Sequence, residues 1–325
     1  MVEASAFDIA HEPNAAMVAV RRVVALMNAA AGAFSQTLAA DVQSALTASF
    51  AHHGVAADIK FVDGEALHSA AEAALARVKR GECDAIVVGG GDGSIRTVAG
   101  VLAGTGLPLG ILPLGTLNHF AKDLGLPLKL EEAAAVIASG HTRVVDLAEV
   151  NGKIFINNSS IGIYPYMVID RERRRAAHKL AKWMAMVPAF LRMLHHFPRR
   201  RLRISAKGFA RPYRTPCLFV GNNAYGMELF TFGRRHRLDA GQLWFYVVKP
   251  RSPWEFFLMV CRMCFGHLDQ ARDLDMFHLS EAEVSAKTSR LFVALDGEVR
   301  LMHTPLHYRS RPHALRVLVP KVPQA

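Results

Sequence analysis

Along the first 140 residues two hydrophobic periods alternate. Val23–Met27, Ala57–Val62, Ala85–Val88 and Leu109–Leu112 are short apolar runs, the pattern of strands buried on both faces of a parallel sheet. Val18–Val20 has the same β character. Between these runs the spacing is helical: one stretch follows the small-residue loop through Gly32 and ends near Phe50. In another, Leu67, Ala70, Ala71, Ala74, Leu75 and Val78 share a face before Gly81 stops it. Such alternation predicts an α/β fold, an N-terminal doubly wound domain with a parallel sheet.

After about residue 142 the pattern changes. Short β runs at Lys153–Asn157, Leu218–Val220, Leu243–Val248, Leu291–Leu295 and Leu315–Val319 are separated by Gly, Pro and Asn. They predict a second, mainly antiparallel β-sandwich domain over 143–305, interrupted by a basic helical insertion at 170–196.

Charge follows the same division. The 325 residues carry a formal net charge of +11. Residues 1–150 hold 10 Lys and Arg against 16 Asp and Glu, whereas residues 151–325 hold 29 against 12. The surplus belongs to the second half and calls for an anionic partner there. With 51% hydrophobic residues and 21% charged, the chain is not a disordered or collagen-like type. Four cysteines are too few for a disulfide framework, and Cys261-x-x-Cys264 lies in an apolar run that reads as helix core. The first 20 residues carry Glu3, Asp8 and Glu12 without a basic start, so no secretory signal is read. The apolar run Trp254–Phe265 is too short to span a bilayer. A cytoplasmic, peripherally membrane-associated protein is expected.

Chemistry concentrates in two turns. Val87-Val88-Gly89-Gly90-Gly91-Asp92-Gly93-Ser94-Ile95 runs from a strand through glycines into a helix, where bare backbone N–H groups suit a phosphate. It is neither a G-x-G-x-x-G fingerprint nor a Walker loop. Asp92 would repel a phosphate unless a cation lay between them, and Mg²⁺ held by one or two carboxylates resolves the conflict. A second turn, Pro113-Leu114-Gly115-Thr116-Leu117-Asn118, places a glycine, a hydroxyl and an amide at the carboxyl edge of the same sheet.

These two turns resemble the signature turns of the diacylglycerol kinase catalytic family, which includes bacterial lipid kinases and sphingosine and ceramide kinases. The likeness continues in order through Val145-Asp146-Leu147, Phe155-Ile156-Asn157, Ser160-Ile161-Gly162, Val220-Gly221-Asn222, Leu238-Asp239-Ala240-Gly241, Leu295-Asp296-Gly297-Glu298 and Ala314-Leu315-Arg316-Val317. It covers roughly residues 23–320. The resemblance implies an ATP-binding domain over 1–142, with the segment 306–325 packing back on it, and a lipid-substrate domain over 143–305.

It also implies roles. Gly90, Gly91, Asp92, Gly93 and Ser94 would cradle ATP phosphates and help place Mg²⁺. Asn28, Thr116 and Asn118 would line the nucleotide site. Asp296 matches the general base that takes the proton from a lipid hydroxyl, with Glu298 supporting it or sharing the metal. Asp92 and Asp296 are thus the catalytic candidates, and Asp92 and Glu298 the metal candidates. The chain departs from the family pattern at Ser94 (usually Thr), Arg96-Thr97 (usually Asn-Glu), Ala29 (usually Pro), Leu117 and His119 (usually Gly and Asp), and Ala240 (usually an acid).

The expected activity is ATP-dependent transfer of a phosphoryl group to a lipid alcohol such as diacylglycerol, in phospholipid metabolism. A ceramide or sphingoid-base kinase, and a non-catalytic nucleotide or lipid sensor on the same fold, stand as alternatives. The basic insertion, with Arg173, Arg174, Arg175 and Lys179 beside Trp183, Met184 and Phe190, points to an anionic membrane surface. No nucleic-acid signature is present, and nucleic acid is not the expected partner. Oligomeric state is left open, a homodimer included.

Overall fold

The computed structural model describes residues 16–30, 36–165, 199–226, 235, 237–250, 252–264 and 270–321. The basic insertion at 170–196 lies outside these residues.

The first half runs β1 (Ala16–Met17), β2 (Arg22–Asn28), α1 (Gln36–His52), β3 (Ala56–Val62), α2 (Leu67–Lys79), β4 (Ala85–Gly90), α3 (Asp92–Leu102), β5 (Pro108–Pro113), α4 (His119–Asp123) and α5 (Leu130–Ser139). Strands β3, β2, β4 and β5 lie side by side and parallel. Successive side chains in them point to opposite faces, and both faces are covered. Val24, Leu26, Ile86, Val88, Leu109 and Ile111 pack with the apolar faces of α2 and α3. Val23, Ala25, Met27, Ala85, Val87 and Leu112 pack with residues of α1 and α5. This is the doubly wound arrangement of a sheet buried on both sides. The β-like Val18–Val20 stays outside the ladder, with Val18 N–H bonded to Gly140 O at 2.9 Å.

The chain continues through β6 (His141–Val150), β7 (Lys153–Phe155), β8 (Asn158–Gly162), β9 (Arg200–Ala206), β10 (Phe209–Thr215), β11 (Cys217–Asn222), β12 (Leu243–Val248), α6 (Pro253–Cys264) and α7 (Gln270–Asp273). It closes with β13 (Leu274–Leu279), β14 (Glu281–Ala286), β15 (Arg290–Leu295), β16 (Glu298–His303) and β17 (Leu306–Leu318). A second sheet, ordered β13-β12-β11-β8-β15-β16, is antiparallel throughout. Its inner face, with Ile161, Leu218, Phe245 and Val293, meets Val150, Leu202, Ile204, Val284 and Tyr308 of the first sheet. The result is a sandwich with one continuous core.

The first sheet does not stop near residue 142. Its order β10-β9-β14-β17-β5-β4-β2-β3 carries it from the sandwich into the parallel domain. Strand β17 makes the join: its first part pairs antiparallel with β6 and β14, and its last residues run parallel to β5. The register shifts between Arg311 and Leu315, where His313 takes a positive φ of 53°. Asp146 holds this bulge, accepting from His313 N–H at 2.8 Å, Gly241 N–H at 2.6 Å and Asn223 Nδ2 at 3.1 Å. An acid buried among three donors is satisfied, which accounts for Val145-Asp146-Leu147 as a structural motif.

Candidate active site

Strand β4 ends at Gly90, and Gly91 turns the chain into α3 without any side-chain cap. The first N–H groups of α3 are therefore left to an outside acceptor. Asn28, ending the neighbouring β2, donates from Nδ2 to Ser94 Oγ at 2.7 Å. Ser94 is buried beneath Gly90, and a Cβ at Gly90 would strike it. Asn28 and Ser94 thus brace the loop from below.

The second turn packs against the first backbone to backbone. A Cβ at Gly91 would come within 3.3 Å of Gly115 Cα. Leu114 N–H bonds to Gly90 O at 3.1 Å. Asn118, in a left-handed conformation with φ 51°, is buried and clamps the turn. Its Oδ1 accepts from Gly115 N–H and its Nδ2 donates to Gly115 O, both at 2.8 Å. Its side chain is consumed in shaping the turn, while Thr116 and Leu117 stand exposed. Asp92 spans the two turns, accepting from His119 N–H at 3.2 Å and Phe120 N–H at 3.0 Å. Burial holds the half-buried His119 below the usual imidazole range, against the raising influence of Asp92 and Asp123, and so favours its neutral form.

Asp296 reaches the same place from the other domain. It sits at φ 48° in the turn between β15 and β16. Its carboxylate accepts three consecutive backbone donors: Ile156 N–H at 3.0 Å, Asn157 N–H at 2.8 Å and Asn158 N–H at 3.1 Å. The run Lys153–Asn157 consequently is not one strand; β7 ends at Phe155 because the next amides turn to this carboxylate. Burial pushes the Asp296 carboxyl up to about 6, with Arg96 and the three amides pulling the other way.

Asn157 ties the two acids together. Its backbone N–H is on Asp296, and its Nδ2 donates to Asp92 Oδ1 at 3.3 Å. Its Oδ1 accepts from Arg235 Nη2 at 2.7 Å. An arginine can only donate, so it obliges Asn157 to turn its carbonyl inward and its amide toward Asp92. Arg235 itself is buried. It bonds Asp123 Oδ2 through Nε at 2.7 Å, and Ile156 O and Asn222 O through Nη1 at 2.8 and 2.9 Å. Tyr225 lies under its guanidinium, 5.6 Å from ring centroid to Cζ, and burial raises that phenol to about 12. The Tyr225 hydroxyl accepts from Asn158 Nδ2 at 3.2 Å.

A second arginine joins the domains. Arg96, on the buried side of α3, donates from Nη1 to Leu295 O at 2.7 Å and pairs through Nη2 with Glu298. It brackets the Asp296 turn from both ends. Glu298 lies against the start of α3, where a Cβ at Gly93 would collide with its Oε1. Arg300 lies 3.7 Å from its other oxygen.

The comparisons with known proteins agree with this architecture. The diacylglycerol kinase catalytic domain family matches residues 22–150. A diacylglycerol kinase of Bacillus subtilis is 34% identical over 267 residues, covering 79% of this chain and 83% of its own length. The chain belongs to the diacylglycerol kinase family. A diacylglycerol kinase of Mycobacterium tuberculosis is 37% identical over 156 residues, which is 46% of this chain and 49% of that protein. The chain thus matches about half the length of that relative. In fold, a crystal structure of a diacylglycerol kinase from Bacillus anthracis superposes with a TM-score of 0.65 at 20% identity, over 93% of this chain and 98% of that one.

The Arg96 cation is neutralised by Glu298 across the domain junction. The residues present suit a phosphate and a hard cation. Two abutting glycine turns leave bare backbone where a Cβ would close the gap, and Asp92 supplies a carboxylate beside it. Among the described residues no three His, Cys, Asp or Glu side chains converge as a ready-made metal site. Magnesium would therefore depend on phosphate oxygens to complete its shell. Sequence reasoning named Asp92, Asp296, Glu298 and the glycines. It passed over Arg235 and Asp123, which no local pattern marks, and gave Asn157 no role.

Proposed function

We propose that this diacylglycerol kinase family member transfers the γ-phosphoryl group of Mg-ATP to the hydroxyl of a membrane lipid such as diacylglycerol. The observation that carries the proposal is Asn157, whose one residue contacts both Asp92 of the glycine loop and Asp296 of the opposing turn. The loop would hold the triphosphate at uncapped N–H groups, and Asp92 would hold the magnesium. Asp296 would accept the proton of the attacking hydroxyl; with its carboxyl raised to about 6, it is both ionised at neutral pH and basic enough to do so. Positioning and charge neutralisation are the main demands of such a transfer, and the glycine turns, Asp92 and Asp296 would meet them.

The relatives' names favour diacylglycerol as acceptor over ceramide or a sphingoid base. Peripheral attachment to an anionic membrane belongs to the same proposal. Among the described residues no helix is long and apolar enough to cross a bilayer. The test is radiolabelled ATP offered with purified diacylglycerol, ceramide or sphingoid base in detergent micelles, with the product identified by mass. Label in phosphatidic acid supports the proposal. Label in none of the lipids, with ATP still bound, would favour a sensor.

A further inference from the structure

The outer face of strands β9, β10 and β14 carries a groove of about 420 Å³. Four exposed cations line it: Arg201 and Arg203 from β9, Arg214 from β10, and Lys287 just beyond β14. Arg201 and Arg214 are direct cross-strand partners, and Arg203 faces Pro212 and Ser285. Like charges directly opposite one another in a sheet are destabilising. Among the described residues none of the four is paired with a carboxylate. The acids nearby are engaged elsewhere. Glu283 accepts from Ser285 Oγ at 2.9 Å and lies 3.9 Å from His307, and Asp275 serves Tyr213 and Arg211 from the other face of β10.

Protection of a sheet edge does not account for this cluster. β10 is the edge strand, but the cations stand on three adjacent positions of the sheet, two of them interior. A cost of self-repulsion spread over three strands is offset when an extended anionic surface covers it. A lipid acceptor lies in a membrane, and an anionic headgroup layer is the extended surface that an enzyme of such a lipid meets; Arg201, Arg203 and Arg214 share one face of the sheet toward it.

We propose that the β9–β10–β14 corner is the face that docks on phosphate headgroups of an anionic membrane. This rests on the lipid-kinase reading and deepens it, because it assigns the membrane contact to the sheet itself. The experiment measures sedimentation with phosphatidylcholine vesicles, with and without phosphatidylglycerol, for the full chain and two double variants. These are Arg201→Ser/Arg214→Ser and, as a second pair, Arg203→Ser/Lys287→Ser. Each lost cation should weaken binding to the anionic vesicles about fivefold, so each pair roughly 25-fold. Thermal stability should be unchanged or raised for the first pair, since a repulsion is removed. Turnover on diacylglycerol in uncharged micelles should stay at the parental level.

Parental binding of both double variants to anionic vesicles overturns the proposal. So does release of the protein from vesicles by millimolar inorganic phosphate, which marks a small-anion site, or binding of an RNA oligonucleotide in place of vesicles with the same dependence on Arg201 and Arg214. If the parent binds anionic vesicles with the expected charge dependence but phosphorylates no micellar lipid, the surface stands and the kinase reading falls.

Discussion

Replacing Arg235 by Met removes one cation from the centre of the domain junction while keeping a side chain of similar length. The consequence follows from what is left behind. The side chain of Arg235 is 0% exposed and that of Asp123 only 6%. Asp123 would become a buried carboxylate without its partner, and Ile156 O, Asn222 O and Asn157 Oδ1 would each lose a donor. Stranding one member of a buried ion pair costs about 3–5 kcal/mol, a large part of the total stability of an ordinary protein. Urea unfolding followed by circular dichroism should show the midpoint falling accordingly. The double variant Arg235→Met/Asp123→Leu should recover part of the loss, because it removes the stranded carboxylate while the three acceptors stay without their donor. A loss below about 1 kcal/mol, the range of exposed ion pairs, would refute the assignment of Arg235 as the buried centre of the junction. Asn157→Asp separates stability from function at the same point. The new carboxylate suits Arg235, so the fold should hold, but it repels Asp92 where the amide donated, and Mg-ATP-dependent turnover should fall at least tenfold.

Other outcomes follow from the same geometry. With Asp296 as the proposed base, activity should rise with pH along a limb centred near 6 and level off above it; Arg96→Ala, which withdraws a charge that lowers this carboxyl, should move the limb to higher pH in a pH–rate profile. Gly115→Ala places a Cβ on Gly91 Cα and against Asn118 Oδ1, so the two turns must part, and KM for ATP should rise at least tenfold with little change in the acceptor's KM. Glu298→Gln keeps an acceptor for Arg96 but loses the charge. Arg96 then stays buried with a weaker partner, and a moderate loss of stability of about 1–2 kcal/mol should appear in urea titration.

The parallel domain is readable from the sequence because its strands are buried on both faces and so appear as unbroken apolar runs. The edge of the sandwich is not. β9 alternates Leu202 and Ile204 inward with Arg201 and Arg203 outward, a period-two signal hidden within a basic stretch that begins in the insertion. The first half of β17 is hidden in the same way, Leu306 and Tyr308 alternating with His307 and Arg309 before a bulge breaks the register. In the site, the glycine turns and Asp296 stand out because backbone conformation demands particular residues there. Arg235 and Asp123 do not, since they lie 112 positions apart and charged residues are ordinarily on the surface. Arg96 shows only as an oddity at a helix position until Glu298, more than 200 residues later, is seen to meet it.

In the proposed reaction Asp92 and Asp296 divide the work between them, the first holding Mg-ATP and the second activating the lipid hydroxyl. Single-turnover transfer from Mg-ATP to micellar diacylglycerol, measured beside Mg-ATP affinity for Asp92→Ala and Asp296→Asn, tests it most directly. Asp296→Asn should slow transfer by about 10²-fold or more while binding Mg-ATP as the parent does, and Asp92→Ala should lose Mg-ATP affinity itself. Parental transfer rates in both variants would contradict this division of roles.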